Sequence, residues 1–265
     1  MFLASASLKP RSADKNFPFN LAVVKRLETV EFTQPLTIIV GENGSGKSTL
    51  LEALACASER VSAGSFDLSR DPSLAHARRL GGALRLSWTQ KTRRGLFLRA
   101  EDFFGYIRAQ NDMKAELQAE LRELRLENSH LPEPELRRIS GPYAGSLAAT
   151  EARYGGDLDA NSHGESFLAF FKARLSAPGL YILDEPEAAL SPLSQLAFLS
   201  LLRQAAENGS QIILATHAPI LMVFPGAQLL EVRDGQLTET DFGELAHVKL
   251  FRDFLTAPEV FLRHL

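Results

Sequence analysis

The chain has 265 residues, 45% hydrophobic, 8% aromatic and 23% charged, a composition that suits one globular domain with or without a satellite lobe and excludes disorder, collagen and a coiled-coil rod as whole-chain readings. Its 29 Lys plus Arg against 32 Asp plus Glu leave a formal charge of -3, so no chain-wide basic field draws it to nucleic acid or anionic lipid, although a local patch remains open. A single cysteine, Cys56, excludes an internal disulfide framework and a cysteine-built zinc site, and suits a reducing compartment.

The chain begins Met1-Phe2-Leu3-Ala4 with no early Lys or Arg and no sustained apolar run, so it does not read as a secretory signal and a cytoplasmic location is expected. Short apolar runs at 21–24, 36–40, 84–88 and 96–100 read as strands, and the polar stretch 89–95 makes the last two look like a hairpin. From 101 to about 164 the pattern turns helical and charged, with Met113, Leu117, Leu121 and Leu124 on one stripe. Alternation of strand and helix then returns. A buried strand at 180–183 is followed by a helix with Ser191 as its N-cap and Pro192 at its first position, and by a second buried strand at 211–215. The most apolar stretch, 212–227, is broken by Thr216, His217, Pro219 and Pro225 and falls short of the roughly 20 apolar residues of a span, so no integral membrane segment is expected. The tail reads as one more hairpin around Asp234-Gly235 and then a helical end rich in Phe. Three zones result: 1–100, 101–164 and 165–265.

Gly41-Glu42-Asn43-Gly44-Ser45-Gly46-Lys47-Ser48-Thr49 satisfies the spacing G-x-x-x-x-G-K-[ST], follows the strand 36–40 and leads into a helix over 50–57. The glycines let backbone N–H groups wrap an anion at the positive end of that helix. Lys47 then neutralises phosphate oxygens and the Ser48 hydroxyl is a Mg²⁺ ligand, with Asn43, Ser45 and Thr49 completing the loop. The apolar run 180–183 ends in Asp184-Glu185, at the strand end where a parallel sheet presents side chains to its ligand. Asp184 is read as part of the Mg²⁺ shell and Glu185 as general base or orienter of the attacking water. His217, after the strand 211–215, is read as a hydrogen-bonding sensor of the γ-phosphate or the water.

Together these residues resemble the ATP-binding-cassette ATPases: the phosphate loop, the strand Tyr181-Ile182-Leu183-Asp184-Glu185-Pro186, and the switch histidine in Ala215-Thr216-His217. Asn161-Ser162-His163-Gly164-Glu165 lies where that family carries its signature, L-S-G-G-Q or L-S-G-G-E, with Asn161 for Leu and His163 for the first Gly. The resemblance implies that Ser162, Gly164 and Glu165 reach across a homodimer to the γ-phosphate held by the other subunit, so that ATP binding closes the dimer. Ser162 as N-cap with Glu165 as its capping-box partner is a second reading of the same residues. The family's Q-loop residue corresponds to Glu101, a further candidate Mg²⁺ ligand, with Gln90 as its rival. Ser191 stands where the family's D-loop has Asp, and Phe17 or Phe19 is placed to stack on adenine, core packing being the alternative.

The expected fold is therefore α/β, a P-loop NTPase of ABC-ATPase type, with a mostly parallel core sheet flanked by helices, an antiparallel β subdomain and a small helical lobe. Zone 1–100 holds the phosphate loop, 101–164 the lobe and signature, and 165–265 the acidic strand and histidine. The runs Asp184-Glu185-Pro186-Glu187, Thr216-His217-Ala218-Pro219 and Ser162-His163-Gly164-Glu165-Ser166 look most like small free-standing bacterial ATPases of the SMC and RecF-like branch. The lobe is too short for the long coiled-coil arm of the DNA-repair members. The expected function is a Mg-dependent ATPase that dimerises head to tail and moves an unknown protein partner. A DNA-associated repair or defence ATPase is the alternative that the basic cluster Lys9, Arg11, Lys15, Lys25 and Arg26 favours; the other is a membrane transporter's ATP-binding subunit.

Overall fold

The computed structural model describes residues 1–10, 15–62, 68, 71–154 and 163–263, without the side chains of 101, 104, 106–111, 149–154, 163 and 165. In chain order the elements are β1 (Leu3–Leu8), α1 (Ala22–Lys25), β2 (Val30–Glu31), β3 (Leu36–Gly41), α2 (Lys47–Ala57), β4 (Val61–Ser62), α3 (Ala75–Ala83), β5 (Leu84–Trp88), β6 (Leu96–Arg99) and α4 (Ala100–Glu127). There follow α5 (Glu133–Tyr154), α6 (His163–Arg174), β7 (Leu180–Asp184), α7 (Pro192–Glu207), β8 (Gln211–Ala215), α8 (Pro219–Met222), β9 (Gln228–Arg233), β10 (Gln236–Glu239), α9 (Ala246–Thr256) and α10 (Pro258–Leu262). Among the described residues, a seven-stranded sheet runs β10-β9-β3-β8-β7-β6-β4, parallel except for β10, and a three-stranded antiparallel sheet runs β2-β1-β5. This is the expected α/β architecture. No described helix is long and apolar enough to cross a membrane.

Apolar residues on both faces of the central strands explain why the large sheet is covered twice. From β3, Leu36, Ile38 and Val40 enter one core, while Ile39 enters the other; from β8, Ile212 and Leu214 part company with Ile213 and Ala215 in the same way. The first core is closed by α6 and α7, whose Phe167, Phe170, Phe171 and Phe198 cluster with Phe103 of α4 at ring separations of 4.5 to 5.9 Å. Such edge-to-face and tilted pairs add about 0.5–1.5 kcal/mol each beyond burial and pin the lobe's entry helix to the core. The second core is closed by α2, α3 and the small sheet. Gln211 ties the two sheets: its buried amide oxygen accepts from the N–H groups of Phe2 and Leu3, and its NH₂ donates to Leu3 O, all at 2.8 Å.

Two local expectations are corrected. The run 21–24 is not a strand: α1 forms there, with Val24 N–H and Lys25 N–H donating to Leu21 O while Val23 and Val24 are buried. Four apolar residues are too short for periodicity to separate strand from helical turn. The runs 84–88 and 96–100 do not form a hairpin either, since β5 pairs with β1 in the small sheet whereas β6 runs parallel to β7 and β4 in the large one. Gln90 therefore lies on the connection between sheets, its N–H donating to Phe2 O. The helical reading of 101–164 agrees with the described part, where α4 and α5 pack as a pair; Leu117, Leu121 and Leu124 are half-buried and Met113 is exposed.

The helical lobe is bolted to the phosphate-loop helix through Arg99, the last residue of β6. Its buried guanidinium forms a fork with the Asp102 carboxylate at 2.9 Å, and reaches Asp71 at 3.2 Å and Glu52 of α2 at 3.4 Å. Glu52 also meets His76 Nε2 at 2.9 Å, yet burial still pushes its carboxyl above the ordinary value. Arg99→Met leaves these carboxylates without their cation, so urea denaturation at pH 7 should register a loss of about 3–5 kcal/mol. A loss under about 1 kcal/mol would mark the network as a weak surface cluster.

Candidate functional site

The strand registers bring the candidate residues to one edge of the large sheet. Arg99 of β6 lies level with Asp184 of β7, Asp184 with Ala215 of β8, and Ala215 with Ile39 of β3. The phosphate loop, the acidic pair, the histidine and the start of α4 therefore all leave the carboxyl ends of neighbouring parallel strands, which is where such sheets bind ligands.

The loop is shaped by close packing from behind. Gly46 enters α2 with φ of +96°, and a Cβ there would lie 2.6 Å from Val23 Cγ1 of α1, so only glycine satisfies both backbone and space. At Gly44 a Cβ would meet nothing within 4 Å, so glycine is favoured there by its left-handed φ of +76° and not by crowding. Ser45 Oγ is buried and has no hydrogen-bond partner among the described residues. Lys47 Nζ donates to Gly41 O and Glu42 O at 3.0 Å each, which leaves one of its N–H donors for a ligand. Burial lowers the Lys47 pKa, while Glu185, Asp184 and Glu187 oppose that shift.

Asp184 is buried and accepts from the Ser48 hydroxyl at 3.2 Å, so the two candidate metal ligands touch. Burial pushes its carboxyl up to about 7, with Glu185 and Glu52 adding to the effect and Ser48 and Lys47 opposing it. A carboxylate held at that cost is suited to a site where a cation offsets the burial. Glu185 turns the chain in a left-handed conformation, φ +48°, that its N–H bond to Ala215 O holds at 2.9 Å. Its Oε1 lies 3.4 Å from His217 Nε2, off the alignment of a hydrogen bond, and that nitrogen is buried without a partner of good geometry among the described residues. Catalytic groups are often this loosely aligned before substrate arrives.

Ser162 lies outside the described residues, as do the side chains of Glu101 and Glu165. The backbone of Glu101 sits in the first turn of α4, and Gly164 in the first turn of α6, where a Cβ would come 3.0 Å from Ser194 Oγ. Asn43 is exposed and Thr49 half-buried. Ser191 caps α7, its Oγ accepting from Ser194 N–H at 3.2 Å. Phe17 is exposed with its ring 5.0 Å from that of His76, and Phe19 lies half-buried under Arg79. Sequence reasoning passed over Glu187, whose Oε1 accepts the His217 backbone N–H at 2.6 Å. Its only signal was position, as the last residue of Asp184-Glu185-Pro186-Glu187. Burial raises the Cys56 thiol to about 11, which leaves it an inert neutral group.

A family model described as AAA domain matches residues 18–65, and one described as AAA domain, putative AbiEii toxin, Type IV TA system matches 150–223. A probable anion import ATP-binding protein of Haloferax volcanii is 30% identical over 189 residues, covering 68% of this chain and 61% of that protein. The macrolide export ATP-binding/permease protein of Acinetobacter baylyi is 23% identical over 241 residues, covering 89% of this chain and 34% of that protein. The chain thus spans about three fifths of the first relative and a third of the second. Among solved structures, the Smc head domain from Pyrococcus furiosus bound to the C-terminal domain of ScpA is 13% identical, with a TM-score of 0.48 over 96% of this chain and 99% of that one. A putative metal-chelate type ABC transporter is 17% identical, with a TM-score of 0.46 over 92% and 85%.

Proposed function

We propose that the chain is an ABC-type ATPase, a reading supported by its two AAA-domain matches and its similarity to ATP-binding transport proteins, and that it binds and hydrolyses ATP at composite sites of a head-to-tail homodimer. The observation that carries this reading is the convergence at one sheet edge of Lys47, the Ser48–Asp184 pair and the Glu185–His217 pair. Lys47 and the loop amides take the triphosphate charge. Ser48 and Asp184, with Glu101 as a further candidate ligand, would hold a magnesium ion, which would supply charge neutralisation to the triphosphate. Glu185, its side chain 42% exposed, is open to water and orients or deprotonates it, and His217 donates toward the developing charge from beside it. Ser162, Gly164 and Glu165 complete the partner subunit's site.

Phosphate release from Mg-ATP by the full chain tests this. Because each site needs two copies, activity per mole of protein should rise with protein concentration until the dimer saturates. Specific activity that is independent of concentration, from a species that light scattering finds monomeric with Mg-ATP, would overturn the composite site. Stimulation by duplex DNA that fades steeply with salt would select the nucleic-acid-associated reading of the load.

A further inference from the structure

We propose that Glu187 is a positioning residue, which sets the imidazole of His217 against the Glu185 carboxylate. The ladder between β3 and β8 runs out at Thr216, whose N–H reaches Ile39 O at 3.3 Å; the next amide, that of His217, has left the sheet. Glu187 takes it. The left-handed turn at Glu185 opens a 3₁₀ turn, Pro186–Ala189, which swings the Glu187 carboxylate back over the end of β8 to accept that N–H at 2.6 Å. The same turn is fastened from the other side by Glu185 N–H on Ala215 O at 2.9 Å. Two bonds therefore link the ends of β7 and β8, where Glu185 Oε1 approaches His217 Nε2 to 3.4 Å. A carboxylate accepting a backbone N–H makes a charge-assisted bond, roughly twice as strong as a neutral one. Beyond the turn, Thr216 Oγ1 accepts Ala218 N–H at 3.0 Å, so His217 is held on both flanks. The second Glu187 oxygen is buried and without a hydrogen-bond partner among the described residues, so the bond to the His217 N–H is the hydrogen bond that orients this carboxylate there.

The inference rests on the proposed ATPase reading for its catalytic consequence, but its first test does not. Amide exchange at His217, followed by ¹⁵N–¹H spectroscopy of the nucleotide-free protein, should quicken at least about 10-fold in Glu187→Met, which keeps the length and loses the acceptor, while neighbours in β8 stay protected. In Glu187→Gln, whose amide oxygen accepts more weakly, the quickening should be about 3-fold. Unchanged His217 exchange in both variants overturns the assignment, and should Glu187→Met fail to fold, the Gln variant decides alone. In turnover, Glu187→Met should lower kcat about 10- to 100-fold with KM for ATP within about 3-fold, and should add nothing to His217→Ala. Losses that multiply in the double variant overturn it. If the wild-type protein hydrolyses no ATP, the functional reading falls, and the exchange result still decides whether Glu187 positions His217.

Discussion

Replacing Lys47 by alanine is expected to raise the dissociation constant for Mg-ATP at least about 100-fold, as read by titration calorimetry or by a fluorescent ATP analogue. The magnitude follows from what would remain. Lys47 is buried, and its ammonium is the cation on which the fields of Asp184, Glu185 and Glu187 converge. Without it those carboxylates face a triphosphate carrying the same sign of charge, in a partly desolvated site where like charges repel more strongly than in water. Lys47→Arg keeps the charge but brings a larger planar head into a space where the ammonium now fits between Gly41 O and Glu42 O. It should recover only part of the affinity. Binding of the alanine variant within about 3-fold of wild type would contradict the phosphate role.

The parts of this molecule legible in its sequence are those where one signal has one structural solution. The run at 180–183 is apolar at every position and ends in two acids, which fits a strand covered on both faces, and β7 is that strand. Pro192 after Ser191 marked the start of α7 for the same reason. Pairing partners were less legible. β5 and β6 are near neighbours in the chain, and proximity suggested a hairpin. Yet β5 alternates Leu84, Arg85, Leu86, Ser87, Trp88, as a one-sided antiparallel strand does, whereas every residue of β6 is buried. The burial of all of β6, Arg99 included, is a property of the folded sheet and separates the two strands only once the structure is known. β1 escaped notice because its small residues, Ala4, Ser5, Ala6 and Ser7, carry little strand propensity, and it is held by long-range bonds to Gln211 and by pairing with β2 and β5. The Glu187–His217 contact spans two loops, and no local pattern encodes such a bond.

Glu185→Gln is the substitution expected to separate binding from chemistry most widely. Glutamine has the same shape and can take the same left-handed backbone, so the Ala215 bond that holds the turn should survive. The variant loses the ability to accept a proton from water, which should lower kcat by about 10³-fold. It also loses one negative charge beside Lys47 and the incoming γ-phosphate, so affinity for Mg-ATP should be equal or higher. A nucleotide that is bound tightly and cleaved slowly keeps both composite sites closed. The variant should therefore elute as a dimer in size-exclusion chromatography with Mg-ATP and as a monomer without it. The outcomes separate the claims. Dimer formation with undiminished hydrolysis would move the base role away from Glu185 and leave the sandwich intact. A monomer that nevertheless binds ATP and does not cleave it would keep Glu185 in the chemistry and remove the second copy from the site.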